Sequence, residues 1–174
     1  MIKILGIKII DRIKEAGLTQ AILSKHSSVI TTRLGFHEVT DSVCSREAYI
    51  ILHLNDTPSD SEQLIDELMT LGGIEVREIS FTGEENYSDA VKKSLDTGIL
   101  CILTERDKEV ILSVQKVLTS FGCNIRTRLG VNETFFGQPA GLIILELTGD
   151  MEQRILLEKD LRAISKVHVR AISF

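Results

Sequence analysis

The chain has no tryptophan, two prolines and 5% aromatic residues, and its three cysteines are an odd set with no Cys-x-x-Cys. Dispersed thiols of this kind, Cys44, Cys101 and Cys123, argue against a disulfide framework and fit a reducing compartment. Positive charge is in deficit too: the net charge of -5 speaks against a nucleic-acid surface, which needs a basic field. Neither a helix-turn-helix nor a basic arm is visible. Apolar stretches are far too short to span a bilayer, and the N-terminus carries no signal-peptide pattern. A cytoplasmic protein without membrane contact is therefore expected. Catalytic signatures are missing as well. No Gly-x-Ser-x-Gly, P-loop, Gly-x-Gly-x-x-Gly or His-Glu-x-x-His run occurs. Gly137-Gln138-Pro139-Ala140-Gly141 reads as a hairpin turn, with Phe135-Phe136 before it folding back over the sheet edge. No enzyme activity and no cofactor are expected.

What the chain does have is a repeat. Thr32-Arg33-Leu34-Gly35 recurs 95 positions later as Thr127-Arg128-Leu129-Gly130. Val76-Arg77-Glu78-Ile79-Ser80-Phe81 recurs 93 positions later as Val169-Arg170-Ala171-Ile172-Ser173-Phe174. So long a period marks a duplicated domain, because solenoid repeats run about 20 to 50 residues. Residues 1–82 form one module, 83–97 a linker with a short helix at Ala90–Leu95, and 98–174 a second module. Seams between such modules are places where small ligands are held.

Each half reads as strand, helix, strand, strand, helix, strand. The first gives Ile2–Ile10, a helix capped by Asp11 and running to about Lys25, Ser28–His37, Ala48–Leu54, Asp60–Leu71 and Ile74–Phe81. Gly72-Gly73 ends the second helix as a left-handed cap would. The second half gives Gly98–Thr104, Asp107–Phe121, Asn124–Asn132, Leu142–Thr148, Asp150–Ile164 and Val167–Phe174. Leu64, Leu68 and Leu71 have the spacing of a buried helical face, and Leu157, Leu161 and Ile164 repeat it. The fold class is α+β: two tandem ferredoxin-like βαββαβ modules, each an antiparallel sheet with both helices on one face.

Strand periodicity assigns the faces. Ile30, Thr32, Leu34 and Phe36 alternate with Thr31, Arg33, Gly35 and His37, which puts the first series on the core and the second on the helix-free side. On the third strand the helix-free series is Tyr49, Ile51, His53 and, in the copy, Leu142, Ile144, Glu146. That series is half apolar, so these faces are expected to be buried by each other or by a second subunit. Arg33, Arg77, Arg126, Arg128 and Arg170 have the parity of the same side. A guanidinium fork suits carboxylate or phosphate, and Gly35 and Gly130 allow close approach to the backbone. Arg33, Gly35, Arg128 and Gly130 are thus the candidate ligand-binding residues. The competing expectation is that the arginines pair with Glu75, Glu78 and Glu146 across neighbouring strands.

The duplicated βαββαβ order resembles tandem ACT-type regulatory domains. The run Ile30-Thr31-Thr32-Arg33-Leu34-Gly35-Phe36, then Tyr49-Ile50-Ile51-Leu52, then Leu68-x-x-Leu71-Gly72-Gly73-Ile74-Glu75-Val76, is similar to the ACT-like iron-only hydrogenase system regulators. The second half keeps Arg128-Leu129-Gly130 but has Ser165-Lys166-Val167 in place of the glycine step. The resemblance implies a regulatory protein that senses a small anionic metabolite, such as an amino acid, at module or subunit interfaces. It also implies a homo-oligomer and a protein partner that reads the packing.

Two alternatives stand beside it. His37, Cys44 and His53 could assemble a transition-metal site, since imidazole and thiolate suit nickel, copper or zinc. The copy has Asn132 for His37, Glu146 for His53 and no thiol for Cys44, so no metal is assigned. A pure protein-interaction module is the other alternative. His26 is expected to be a packing residue at a helix end, and His168 a solvated strand residue.

Overall fold

A computed structural model describes residues 1–37, 45–55, 57–82 and 98–174. The chain divides into two compact units, Met1–Glu84 and Glu85–Phe174. The first contains β1 (Ile2–Ile9), α1 (Arg12–Lys25), β2 (Ile30–Phe36), β3 (Ala48–Leu54), α2 (Pro58–Met69) and β4 (Ile74–Phe81). The second contains β5 (Gly98–Glu105), α3 (Lys108–Ser120), β6 (Ile125–Phe135), β7 (Gln138–Leu147), α4 (Met151–Arg162) and β8 (Val167–Ser173). Strand order is β2-β3-β1-β4 in one sheet and β6-β7-β5-β8 in the other. Every pairing is antiparallel. Both units are therefore ferredoxin-like βαββαβ modules, and a single 3₁₀ turn joins the first helix to the second strand in each. The proposed linker 83–97, its helix Ala90–Leu95 and Cys44 lie outside the described residues.

Local chemistry explains the helix starts. Asp11 accepts the Ile13 N–H, Asp107 the Glu109 and Val110 N–H groups, and Asp150 the Gln153 N–H. Each carboxylate satisfies donors that the first turn leaves without a partner. Helix α2 begins two residues before the expected Asp60, because Pro58 occupies its first turn, where a missing N–H costs nothing. Its end also differs from expectation. The cap, Thr70, is right-handed, and the left-handed residue is Gly73 (φ 77°) in the turn into β4, where its carbonyl accepts the Ile10 N–H at 2.9 Å. Lys166 (φ 64°) fills the same place in the second unit.

The expected leucine stripes form the cores. Leu64 and Leu68 of α2 pack with Leu5, Ile7, Leu23, Ile50 and Leu52. Leu157 and Leu161 of α4 pack with Leu100, Ile102, Val114, Leu118 and Leu145. Each fully buried leucine contributes roughly 1.5–3 kcal/mol relative to exposure. Leu71 is only half-buried.

One irregularity, present in both sheets, inverts the expected faces of the second strands. Ile30 pairs with Leu54 but Thr32 pairs with His53, so Thr31 is an extra residue. Likewise Ile125 pairs with Leu147 and Thr127 with Glu146, leaving Arg126 extra. A bulge of this kind shifts the side-chain alternation by one. Ile30 and Ile125 pack on the cores, whereas Thr32, Leu34 and Phe36 lie on the helix-free side. There Phe36 stacks on Tyr49 with ring centroids 5.4 Å apart.

The β6–β7 hairpin also departs from expectation. Phe136 (φ 49°) and Gly137 (φ 74°) make the turn, and Gln138–Gly141 belongs to β7, with Pro139 opposite Thr134. Two successive positive φ values match the right-handed twist of the flanking strands. Rather than folding back over the edge, Phe136 stands 72% exposed at 4.6 Å from the Phe135 ring. His168 is half-buried, its ring 6.0 Å from that of Phe135.

Candidate functional site

The register corrects the placement of two of the candidate arginines. Arg33 lies opposite Leu52 and Gly35 opposite Ile50, both core residues of the helix side. Arg128 and Gly130 lie opposite Leu145 and Ile143, again on the helix side. The extra residue at each bulge is the physical cause. Arg77, opposite Gly6, and Arg170, opposite Cys101, do stand on the helix-free side as expected.

On the helix side each candidate arginine meets its unit's first helix. Arg33 Nη1 donates to Gln20 Oε1 of α1 at 2.5 Å. Arg128 Nη1 donates to Gln115 Oε1 of α3 at 3.0 Å. Both pairs span 13 residues, so the duplication has kept the contact as well as the residues. The arginines and their glycines are exposed on edge strands. A Cβ added to Gly130 would meet nothing within 4 Å, and one on Gly35 only the Tyr49 carbonyl at 4.0 Å. Packing within the unit does not require glycine there, and the strand surface beside each guanidinium is open to an incoming group.

Ion pairing accounts for other arginines. Arg77 lies 3.5 Å from Glu75. Arg126 Nη1 donates to Glu146 Oε1 at 3.2 Å, and Thr127 Oγ1 donates to Glu146 Oε2 at 2.6 Å. Glu146 is only 2% exposed, and these two donors compensate for taking its carboxylate out of water. Glu78 takes a different partner from the one expected: it lies 3.6 Å from Lys3 Nζ and accepts the Ser80 hydroxyl at 2.7 Å.

His53 is buried opposite Ile4 and Thr32, and His37 is exposed just after β2. Among the described residues no group of three His, Cys, Asp or Glu side chains could hold a metal ion. Burial pushes the Cys101 thiol up to about 12, which leaves it protonated and unreactive. His26 is buried at the end of α1, as expected of a packing residue, and also stands 3.2 Å from the Glu67 carboxylate. No described helix is long and apolar enough to cross a membrane.

Gln20 and Gln115 were missed by inspection of strand patterns alone. The signal existed, since they too are 95 positions apart, and aligning whole repeats rather than motifs exposes them.

These features define a tandem of ferredoxin-like modules with a repeated guanidinium on each bulged edge strand. No family model matches the chain, and no curated protein matches it. Among solved structures, an uncharacterized protein from Thermotoga maritima is 26% identical (TM-score 0.40) over 45% of this chain and 95% of its own. A putative glycine cleavage system transcriptional repressor is 11% identical (TM-score 0.40), covering 99% and 98% respectively. The acetolactate synthase small subunit from Thermotoga maritima is 10% identical (TM-score 0.37), covering 100% and 98%.

Proposed function

We propose that the protein is a non-enzymatic regulator built of two ACT-like modules, binding a small anionic metabolite at the edge-strand arginines. The observation that carries this reading is the pair Arg33–Gln20 and its copy Arg128–Gln115. Each sets a guanidinium, already oriented by a helix, beside an exposed glycine on a strand edge. A carboxylate docking there gains parallel hydrogen bonds from a fork whose side chain is already ordered. The sequence likeness of Ile30–Phe36, Tyr49–Leu52 and Leu68–Val76 to hydrogenase system regulators supports a regulatory role of that kind.

Association with a second copy belongs to the same proposal. Ile13 (74% exposed) and Leu18 (58%) on α1 and Leu112 (59%) on α3 are large apolar side chains on the helices that carry the glutamines. These side chains are the apolar surface that the proposal offers to a second copy. Ligand binding would then act by favouring one packing over another.

Thermal-shift screening of the full chain against amino acids, nucleotides and short organic acids tests the reading. A ligand that binds only the native state raises the melting temperature. The expected result is a shift that Arg33→Gln combined with Arg128→Gln abolishes. Silence across the panel overturns it. Light scattering with and without ligand tests the association.

A further inference from the structure

Each sheet has two outer strands, and one of the four carries a pattern that matches itself. Among the described residues β6 has β7 as its one neighbour. Its other edge therefore offers backbone groups that a further strand can take. It is also the longest strand of the protein, with 11 residues. Past the bulge, Thr127–Phe135 keeps an unbroken register with β7, so the edge is regular along that length. Neither proline nor lysine, the usual devices against edge pairing, occurs in it.

Around Gly130 the side chains balance in both directions. Leu129 answers Val131, Arg128 answers Asn132 and Thr127 answers Glu133. Two β6 strands paired antiparallel through a two-fold axis at Gly130 set each of these opposite its counterpart in the other copy. Leucine then meets valine, arginine meets asparagine and threonine meets glutamate, with no like charges opposed. Moving the axis spoils the match: at Val131 it sets Leu129 against Glu133, and at Leu129 it sets Val131 against Thr127. The other outer strands lack it. β8 turned about its middle sets Arg170 against itself, and β4 does the same with Arg77 or Glu78. β2 turned about Gly35 sets Arg33 against His37, which lies past the strand's last residue, Phe36.

We propose that β6 is the seam through which two copies of this chain join the four-stranded sheets of their second units into one continuous antiparallel sheet. The inference rests on the self-association proposed above, gives it a place and a register, and needs no ligand. It supplies a reason for Gly130. Nothing in its own unit comes within 4 Å of a Cβ there, whereas a bare Cα at the axis lets the facing backbone come close. The bulge at Arg126 ends the seam next to Thr127. An axis normal to the sheet keeps both helix layers on one side. Helix α3 adjoins β6, since Gln115 meets Arg128. Leu112, 59% exposed and one turn before Gln115, lies on the same side of α3 and supplies apolar surface beside the seam.

Light scattering on the full chain should report a dimer, and disulfide trapping reads its register. Cys44 and Cys123 are first replaced by serine; Cys101 is buried. Gly130→Cys should then cross-link two copies on mild oxidation, because opposed Cα atoms stand about 4.5–5.5 Å apart, within disulfide reach. Asn132→Cys alone should not, since its counterpart lies roughly 13–14 Å along the facing strand. Asn132→Cys combined with Arg128→Cys should cross-link again. Asn132→Arg, which opposes like charges twice across the axis, should weaken the dimer roughly tenfold, and adding Arg128→Glu should restore it. A dimer indifferent to Asn132→Arg, or one that does not cross-link through Gly130→Cys, overturns the seam and leaves association through the helices standing. A chain that is monomeric at every concentration overturns both. Thermal-shift silence in a protein that cross-links through Gly130→Cys overturns the ligand reading and leaves the seam standing.

Discussion

Replacing Gly73 with alanine tests whether the two repeats meet one backbone requirement with different residues. Gly73 and Lys166 stand at the same point between the second helix and the last strand, with φ of 77° and 64°. A side chain in the left-handed region costs roughly 1–2 kcal/mol. A Cβ on Gly73 would also meet Cγ, Cδ and Oε1 of Glu15, each at 3.1 Å, a flexible side chain that can yield by a few tenths of an ångström. Against these costs, alanine restricts the unfolded chain and returns roughly 0.4–1 kcal/mol. The difference is about 0–1.6 kcal/mol, and the Glu15 contact adds to the cost, so a net destabilisation is expected. The reciprocal change, Lys166→Gly, relieves the backbone but loosens the unfolded chain. It also removes exposed contacts to Glu105 (3.3 Å) and Asp107 (3.6 Å), which are worth little in water, so its effect should be small. Equilibrium urea unfolding measures both, fitted unit by unit if two transitions separate. A Gly73→Ala protein as stable as the parent would refute the reasoning, because unfolded-state entropy alone would then outweigh the strain.

Three further outcomes are expected. Leu157→Ala, at a fully buried core position, should cost about 2–5 kcal/mol in the same unfolding experiment. Leu156→Ala next to it, 41% exposed, should stay within about 0.5 kcal/mol. The backbone N–H groups of Glu109 and Val110, with Lys166 nearby, hold the Asp107 carboxyl below its ordinary 3.8. That contribution is present above the ordinary value and lost as pH falls through the lower folded value, so Asp107→Asn should flatten the acid limb of a stability–pH profile below about pH 4. Among Cys101 and Cys123, a thiol reagent followed by peptide mapping should label only the exposed Cys123 in the native protein. Cys101 should react only after unfolding, and native labelling of it would contradict its burial.

Element order and core were legible because they repeat. Leu64 and Leu68 and their copies Leu157 and Leu161 state the helix period twice, and the Val76–Phe81 and Val169–Phe174 runs state the last strand twice. Facing was not legible on the second strands. A period of two carries no mark of an inserted residue, so Thr31 and Arg126 pass as ordinary members of the alternation. Every side chain after them is then assigned to the wrong side, Arg33 and Arg128 included. The hairpin end of β6 was misread for a related reason. Gly137 to Gly141 contains turn-forming residue types, but only Phe136 and Gly137 take the positive φ that turns the chain, and pairing overrides composition beyond them. Lys3 gave no signal at all, since a lysine in an apolar strand is ordinarily solvated, and its burial follows from Glu78 across the sheet.

The bulge, the arginine and the glutamine form one device. An extra residue leaves an edge strand locally without a partner, and an edge so loosened is free to slide in register or to pair with another chain. A guanidinium two residues beyond the bulge, tied to the adjoining helix, pins the strand where the ladder is weakest. That both copies keep the three elements together at the same spacing follows if they work jointly. Arg33→Gln alone should then loosen β2 and speed its amide exchange even without any ligand. The interior under α2 and α4 shows the opposite behaviour. There Lys3 and Glu78 of the first unit correspond to Gly98 and Ala171 of the second, and the second unit's charged pair is instead Glu158 with Arg162 on α4.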